Sequence, residues 1–319
     1  MSGPIEPPSQ RSPPVGSSVE GEAVQLVTVI IPSHGRPDLL RQCLASLQDQ
    51  TYPRYEVLVV DDASRQEAAY AEIARQYGAR LLRNPVNRGP GQARNRGVRE
   101  SAGDVLIFLD DDCTVDDPEW IARHAAIHSA HPGLLVGGGI DPHAPTVVSK
   151  AFAWINQPEH RVAGNLQSMN LSLTRTTFDE IGPFREDLRE LEDVEFTLRA
   201  KRKGKRLHSV PEIRVTHSIR ATLGAVLRRT FEYGYWLVPV CRSRGFPVWW
   251  LLPDSLPAAL LLFLPLAGVH ALIRTLLSLP RFPAVAVCLP LAFLFCLSHA
   301  AGVVWYHWRR WRGKRTSDK

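Results

Sequence analysis

From residue 27 the chain alternates short, wholly apolar runs with segments of helical period. "VTVII" (27–31) predicts a buried strand. After "PSHGR", Leu40, Cys43, Leu44 and Leu47 share one face of a helix that begins at Pro37, a residue suited to a first helical turn. "EVLVV" (56–60) predicts a second strand, ending in Asp61 and Asp62. Ala68, Ala71 and Ala74 recur at helical spacing within 66–77, "ARLL" (79–82) reads as a third strand, and "GQARNRGVRES" (91–101) reads as a helix that Gly97 weakens. "VLIFL" (105–109) is the fourth strand. Apolar strands alternating with helices predict an α/β fold, a mostly parallel sheet covered on both faces. There is no internal repeat.

The pattern changes in the last third. Residues 256–273 and 283–306 contain no Asp, Glu, Lys or Arg, and at 18 and 24 residues each is about long enough to cross a bilayer as a helix. Two transmembrane helices within 255–307 are therefore expected. A pair of buried helices stays an alternative, as does a re-entrant or interfacial hairpin, favoured by Pro253, Pro257 and Pro265. Arg242 and Arg244 before the spans and "RRWRGKR" (309–315) after them put both ends in the cytoplasm by the positive-inside rule. Trp249, Trp250, Trp305, Tyr306 and Trp308 fall at interfacial positions. The expected organisation is a Pro/Ser/Gly-rich disordered leader (1–24) without a secretory h-region, an α/β domain (25–222), an amphipathic, interfacial connector (223–254), the two spans, and a basic cytoplasmic tail (308–319).

Composition adds two exclusions. The net charge is +6 and the pI about 9.2, but the excess sits in "RAKRKGKR" (199–206) and the tail, with no nucleic-acid module around either. No nucleic-acid partner is expected. The five cysteines, Cys43, Cys113, Cys241, Cys288 and Cys296, are scattered without a CxxC, which excludes a disulfide framework or zinc site and suits a reducing compartment.

Candidate chemistry gathers at strand ends: Ser33, His34 and Arg36 after the first, Asp61 and Asp62 after the second, Asp110, Asp111 and Asp112 after the fourth. One Asp at a strand end is usually a turn or a cap; three clusters at neighbouring ends of a parallel sheet form a ligand site. Strand alternation sends Asp110 and Asp112 to one side and Asp111 to the other. Two carboxylates on one side suit magnesium or manganese, whose other positions are filled by phosphate oxygens and water. A basic loop (Arg83, Arg88, Arg94, Arg96) suits phosphate, whereas "NRGPG" (87–91) matches neither a P-loop nor GxGxxG and reads as a flexible loop near the site.

Three segments, "VTVIIPSHGRPDLLRQCLASLQDQTYPRYEVLVVDDAS", "NRGPGQARNRGVRESAGDVLIFLDDDC" and "LEDVEFTLRAKRKG", resemble in order and spacing the family 2 glycosyltransferases with the GT-A fold, over about residues 26–220. The likeness is to a membrane-anchored bacterial type used in cell-envelope polysaccharide synthesis. It implies inverting transfer from a nucleotide-diphosphate sugar with a divalent cation, Mn2+ or Mg2+. It also implies residue roles. Asp61 and Asp62 hold the base, in a pocket lined by Pro32 and His34. "SHG" stands where the family often has an aromatic beside Asn, so stacking falls to His34. "FLDDDC" matches the DXD motif, with Asp110 and Asp111 toward ribose or metal and Asp112 a direct metal ligand. Arg94 is placed on the nucleotide sugar, Asn170 near the sugar, Asp193 as catalytic base and Glu192 as its tuning neighbour. His217 stands where a further metal ligand is supplied, although a lone His is more often structural. QxxRW is absent and "RRTFEYGYW" (228–236) is a distant echo, so one sugar per cycle is implied. The expected acceptor is a lipid-linked or glycan hydroxyl at the cytoplasmic membrane face, with membrane lipid as a further partner. The alternatives are a metal-dependent nucleotidyltransferase and a non-catalytic sugar-nucleotide-binding subunit.

Overall fold

A computed structural model describes residues 24–153, 166–219, 222–242, 256–257, 259–260 and 289–317. The N-terminal half follows the apolar pattern: β1 (Val27–Ser33), α1 (Pro37–Ser46), β2 (Tyr55–Asp61), α2 (Glu67–Gln76), β3 (Arg80–Arg83), α3 (Pro90–Glu100) and β4 (Val105–Leu109). Next come β5 (Cys113–Thr114), α4 (Trp120–Ala130), β6 (Leu134–His143), β7 (Asn170–Thr174), α5 (Arg175–Ile181), α6 (Glu192–Arg202) and β8 (Arg206–Ser218). The strands form one sheet in the order β3-β2-β1-β4-β7-β6-β8-β5.

β1, β2, β3 and β4 are mutually parallel, as their apolar runs require. Beyond β4 the sheet is mixed: β7 pairs antiparallel with both β4 and β6, while β6 and β8 are parallel. The second half was hidden from the pattern because "NLSLT" and "RLHSVPEIRVTHS" mix polar with apolar positions, and much of β8 is exposed. Both faces are covered. Val27, Val29 and Ile31 pack with Leu40, Leu44 and Trp120 on one side, while Ile30, Leu106 and Phe108 pack with Phe178, Phe184 and Phe196 on the other.

Two helices show how a face is chosen. α2 forms where the alanine spacing predicts a helix, and it buries Tyr70, Ile73 and Ala74 while Ala68 and Ala71 stay exposed. Larger side chains remove more apolar surface from water and so choose the face over alanine periodicity. Gly97 stands inside α3 and lets the helix lie on β1: a Cβ there would stand 2.4 Å from Ile30 Cγ2.

At the C-terminus, α7 (Leu223–Arg242) covers most of the expected connector, and α8 (Leu289–Ser317) extends the second expected span through most of the basic tail. The first expected span falls almost wholly outside the described residues, so the hairpin does as well. α7 and α8 cross closely. A Cβ on Gly234 would meet His299 O at 1.9 Å, and one on Gly302 would meet Phe231 O at 2.0 Å. Among the described residues, one helix, Pro290–Arg312, is long and apolar enough to cross a membrane.

Candidate active site

The carboxyl ends of β1, β2 and β4 bring the predicted clusters together. The chain leaves β4 at Leu109 and turns at Asp111 and Asp112. Strand alternation lapses in that turn. Asp111 and Asp112 face one partner together, and Asp110 turns to another. The shared partner is Arg36, the residue before α1. Its guanidinium bonds Asp111 and reaches Asp112 Oδ2 at 2.5 Å. Ser33 Oγ donates to Asp111 and lies 2.9 Å from Tyr70 OH. β5 pairs with β8 so that Cys113 faces His217, which sets His217 Nε2 3.6 Å from Asp112 Oδ1. Asp112 carbonyl accepts from Ser218 N at 2.8 Å, closing the same junction.

Burial and charge split this pair. Asp111 is fully buried, and that burial raises its pKa despite Arg36. Burial also opposes ionisation of Asp112, but the His217 imidazole and the Arg36 guanidinium outweigh it and hold its carboxyl well below the usual range. Among the described residues no three His, Cys, Asp or Glu side chains converge as a metal cage. Carboxylate oxygens and one imidazole are nevertheless groups a divalent cation takes, and the Arg36 guanidinium between the two carboxylates is the positive charge they now hold. This donor set fits an ion that keeps few protein ligands and completes its shell with phosphate and water. Asp112 and His217 are the pair that would hold it; Asp110 is directed elsewhere.

At the β2 end, Asp62 is buried and accepts from Gly89 N at 2.7 Å, Arg88 N at 3.1 Å and Asn84 Nδ2 at 2.8 Å. "NRGPG" is therefore tied down by its backbone rather than loose, and Gly89, at φ 97°, makes the turn into α3. Asp61 accepts from Ser64 N at 2.9 Å and from the Arg83 guanidinium. The exposed His34 ring donates from Nδ1 to Asp62 O at 2.8 Å, which fixes its plane beside the buried Pro32. Three arginines assigned to phosphate are spent on the protein itself. Arg83 pairs with Asp61 and Glu67, Arg96 donates to Asn84 Oδ1 at 2.8 Å, and Arg94 bridges two carboxylates. Asn84 is a site residue that sequence reasoning did not name, and Arg36, named there only as a polar residue after the first strand, is the partner of Asp111 and Asp112. Arg36, three residues beyond a polar strand end, was the available signal.

Asp193 stands in the first turn of α6, where helix dipole and backbone amides favour a carboxylate. Its Oδ1 accepts from Val194 N at 2.8 Å and its Oδ2 from Ser168 N at 3.3 Å. Burial raises its pKa, against the pull of Arg94 and those two amides. Glu192 is buried on Arg94 at 2.6 Å, and burial raises its pKa as well. Asn170, expected near the sugar, pairs with Leu109 at the end of β4. It is fully buried at the start of β7, its amide donating to Gly139 O and Ile213 O at 2.9 Å, its Oδ1 accepting from Trp120 Nε1 at 3.3 Å. Gly138 makes room for it, since a Cβ there would lie 2.1 Å from Asn170 Nδ2.

A sequence profile described as "Glycosyl transferase family 2" matches residues 28–191, half of the chain. The chain belongs to glycosyl transferase family 2. Among the relatives of this family 2 member is glycosyltransferase AglE of Haloferax volcanii, 31% identical over 221 residues, which are 65% of this chain and 71% of that protein. The fold resembles that of the mannosyltransferase PcManGT from Pyrobaculum calidifontis, solved with GDP-Man and Mn2+, at a TM-score of 0.61 and 18% identity over 89% of this chain and 88% of that one. It also resembles GalNAc-T7 solved with UDP, GalNAc and Mn2+, at a TM-score of 0.50 and 19% identity over 68% of this chain and 49% of that one. The GT-A architecture expected for the α/β domain is thus the one observed, and the chain is a glycosyltransferase.

Proposed function

We propose that this family 2 member is an inverting glycosyltransferase that moves one sugar per cycle from a nucleotide-diphosphate sugar to an acceptor hydroxyl. The observation that carries the proposal is the coupling of two carboxylate groups through one guanidinium. Arg94 bonds Asp110, beside the cation-seeking Asp111/Asp112 pair, and also Glu192, beside Asp193. Donor-side and acceptor-side chemistry therefore share one cleft.

Asp61 and Asp62 face the base, with His34 stacked on it and Pro32 behind; Asp110 and Asp111 lie toward the ribose. Asp112 and His217 would hold a divalent cation, which would supply positive charge to offset the anion of the departing nucleoside diphosphate. Manganese in the solved structures of PcManGT and GalNAc-T7 supports that choice of metal. Asp193 accepts the proton of the acceptor hydroxyl, whose oxygen bonds the anomeric carbon as the bond to the diphosphate breaks. Attack from the face opposite the leaving group inverts the configuration. The apolar helix Pro290–Arg312 supports membrane attachment; the proposed acceptor is a lipid-linked or glycan hydroxyl at the cytoplasmic face.

The test is a screen of the detergent-purified full chain against UDP-, GDP- and dTDP-sugars with manganese or magnesium. A metal-dependent rise in melting temperature and release of nucleoside diphosphate are expected. Asp112→Asn should abolish the metal-dependent shift and lower release by orders of magnitude. Release of pyrophosphate instead would make the protein a nucleotidyltransferase, and binding without any release would make it a non-catalytic subunit.

A further inference from the structure

We infer that Arg94 is a positioning residue, the charged link by which α3 sets the general base at a fixed place relative to the donor carboxylates, and that it does not itself bind the donor. The inference rests on the glycosyltransferase reading above and deepens it.

The geometry is that of a strut. Arg94 is 2% exposed, donates from Nη1 to Glu192 Oε1 and from Nη2 to Asp110 Oδ1, each at 2.6 Å, and lies over the Phe184 ring at 5.7 Å. Its remaining nitrogen, Nε, is buried without a partner. Both terminal nitrogens of the fork are thus held by protein carboxylates, and the guanidinium is buried away from the open cleft.

The rest of the same helix face grips the segment that delivers the base. Gly91, Arg94 and Asn95 fall at the i, i+3, i+4 spacing of one face. A Cβ on Gly91 would stand 3.0 Å from Arg185 O and 3.5 Å from Glu192 Cγ, so the glycine admits that segment. Asn95 brackets the same stretch, donating to Phe184 O at 2.9 Å and accepting from Phe184 N at 2.8 Å. At its other side α3 is seated on β1 through Gly97.

The receiving end needs such a hold. α6 begins after Leu191, a left-handed residue at φ 64°, and no side chain caps the helix. Asp193 is the second residue of α6, and Glu192, its first, is the residue Arg94 holds. Hydrophobic contact would seat α6 at less cost, because a buried guanidinium with two carboxylates stabilises little net of desolvation. What a planar fork adds is direction: it fixes both carboxylates in one plane. A base misplaced by about 1 Å can lose on the order of 10²-fold in rate, which is the effect at stake.

The experiment uses the full chain in detergent. The binding probe is GDP or UDP with manganese, followed by calorimetry. The rate probe is single-turnover release of nucleoside diphosphate from GDP-mannose or UDP-GalNAc at saturation, with water as acceptor. Arg94→Lys keeps the charge but reaches only one carboxylate. It should lower the saturated rate about 10–100-fold and leave nucleotide affinity within about 3-fold. Glu192→Ala should do the same, and the double variant should be no slower than the slower single one, because both changes break one link. Glu192→Gln keeps an acceptor for Arg94 and should stay at least about tenfold faster than Glu192→Ala; this pair decides the matter if Arg94→Lys does not fold. Weakened nucleotide binding with an intact saturated rate in Arg94→Lys would overturn the inference and make Arg94 a donor ligand. Multiplicative losses in the double variant, or equal rates for Glu192→Gln and Glu192→Ala, would overturn it too. A wild-type chain that releases nothing from any sugar nucleotide would instead sink the glycosyltransferase reading.

Discussion

Two residues carry the sharpest expectations. As the proposed base, Asp193 would have to be ionised to accept a proton, and its burial raises its pKa above the ordinary 3.8. Activity should therefore be full at higher pH and fall as pH drops through a value above that, so a pH profile of the saturated rate should show an acid limb above the usual aspartate range. A limb at or below pH 4 would remove Asp193 as the titrating base. Arg36 offers a stability test. It is the cation between Asp111 and Asp112, and its side chain is 44% exposed while theirs are 0% and 8%. Arg36→Ala leaves buried acceptors unmade. Without metal it should lose about 1–3 kcal/mol, toward the lower end because Arg36 itself is partly solvated. Added manganese should recover more melting temperature in Arg36→Ala than in wild type. A loss that manganese leaves unchanged would show that the carboxylates need the guanidinium and not positive charge as such.

Glycines decide how elements approach. In α3, Gly97→Ala gains about 0.5–1 kcal/mol of helix propensity but places a methyl 2.4 Å from Ile30 Cγ2. Overpacking a close-packed core costs about 1–3 kcal/mol, so the clash wins and a lower melting temperature is expected. Between α7 and α8 the obstacle is backbone. A Cβ on Gly302 would sit 2.0 Å from Phe231 O, and a carbonyl cannot rotate away as a side chain does. Gly302→Leu should separate the helices and destabilise more than Gly97→Ala, which parallel thermal melts of the two variants would check.

The whole molecule joins a sheet-based catalytic domain to helices of different chemistry. At ~1.5 Å rise per residue, the 23 residues of Pro290–Arg312 reach about 35 Å, enough for the hydrocarbon core of a bilayer. Of its apolar window 39% is buried within the protein. Trp305 stacks on Trp308 at 4.5 Å, and Arg312 lies over Trp308 at 5.3 Å, which suits a helix end at a headgroup layer. After a carbonate wash the full chain should stay in the membrane pellet, and a chain ending at Arg242 should move to the supernatant. A full chain that is soluble without detergent would make α8 the partner of another protein surface.

What the sequence determined by itself was local. Apolar runs, turn residues and polar strand ends act over a few neighbours, so β1, β2, β4, the helix starts and the clustering of Asp61–Asp62 and Asp110–Asp112 were legible, as was the order of motifs that marks the family. What the tertiary structure alone decided was partnership. Arg36 meets Asp112 across 76 residues and Arg94 meets Glu192 across 98, and no periodicity encodes which charge a guanidinium will find. The face of α2 was settled by the volume of Tyr70 and Ile73 against the sheet. Asn170 lies against Gly138 and pairs its amide with the Gly139 and Ile213 carbonyls, neighbours distant in sequence. Local sequence places chemistry at the strand ends, and long-range packing determines which of those groups face ligand and which hold one another.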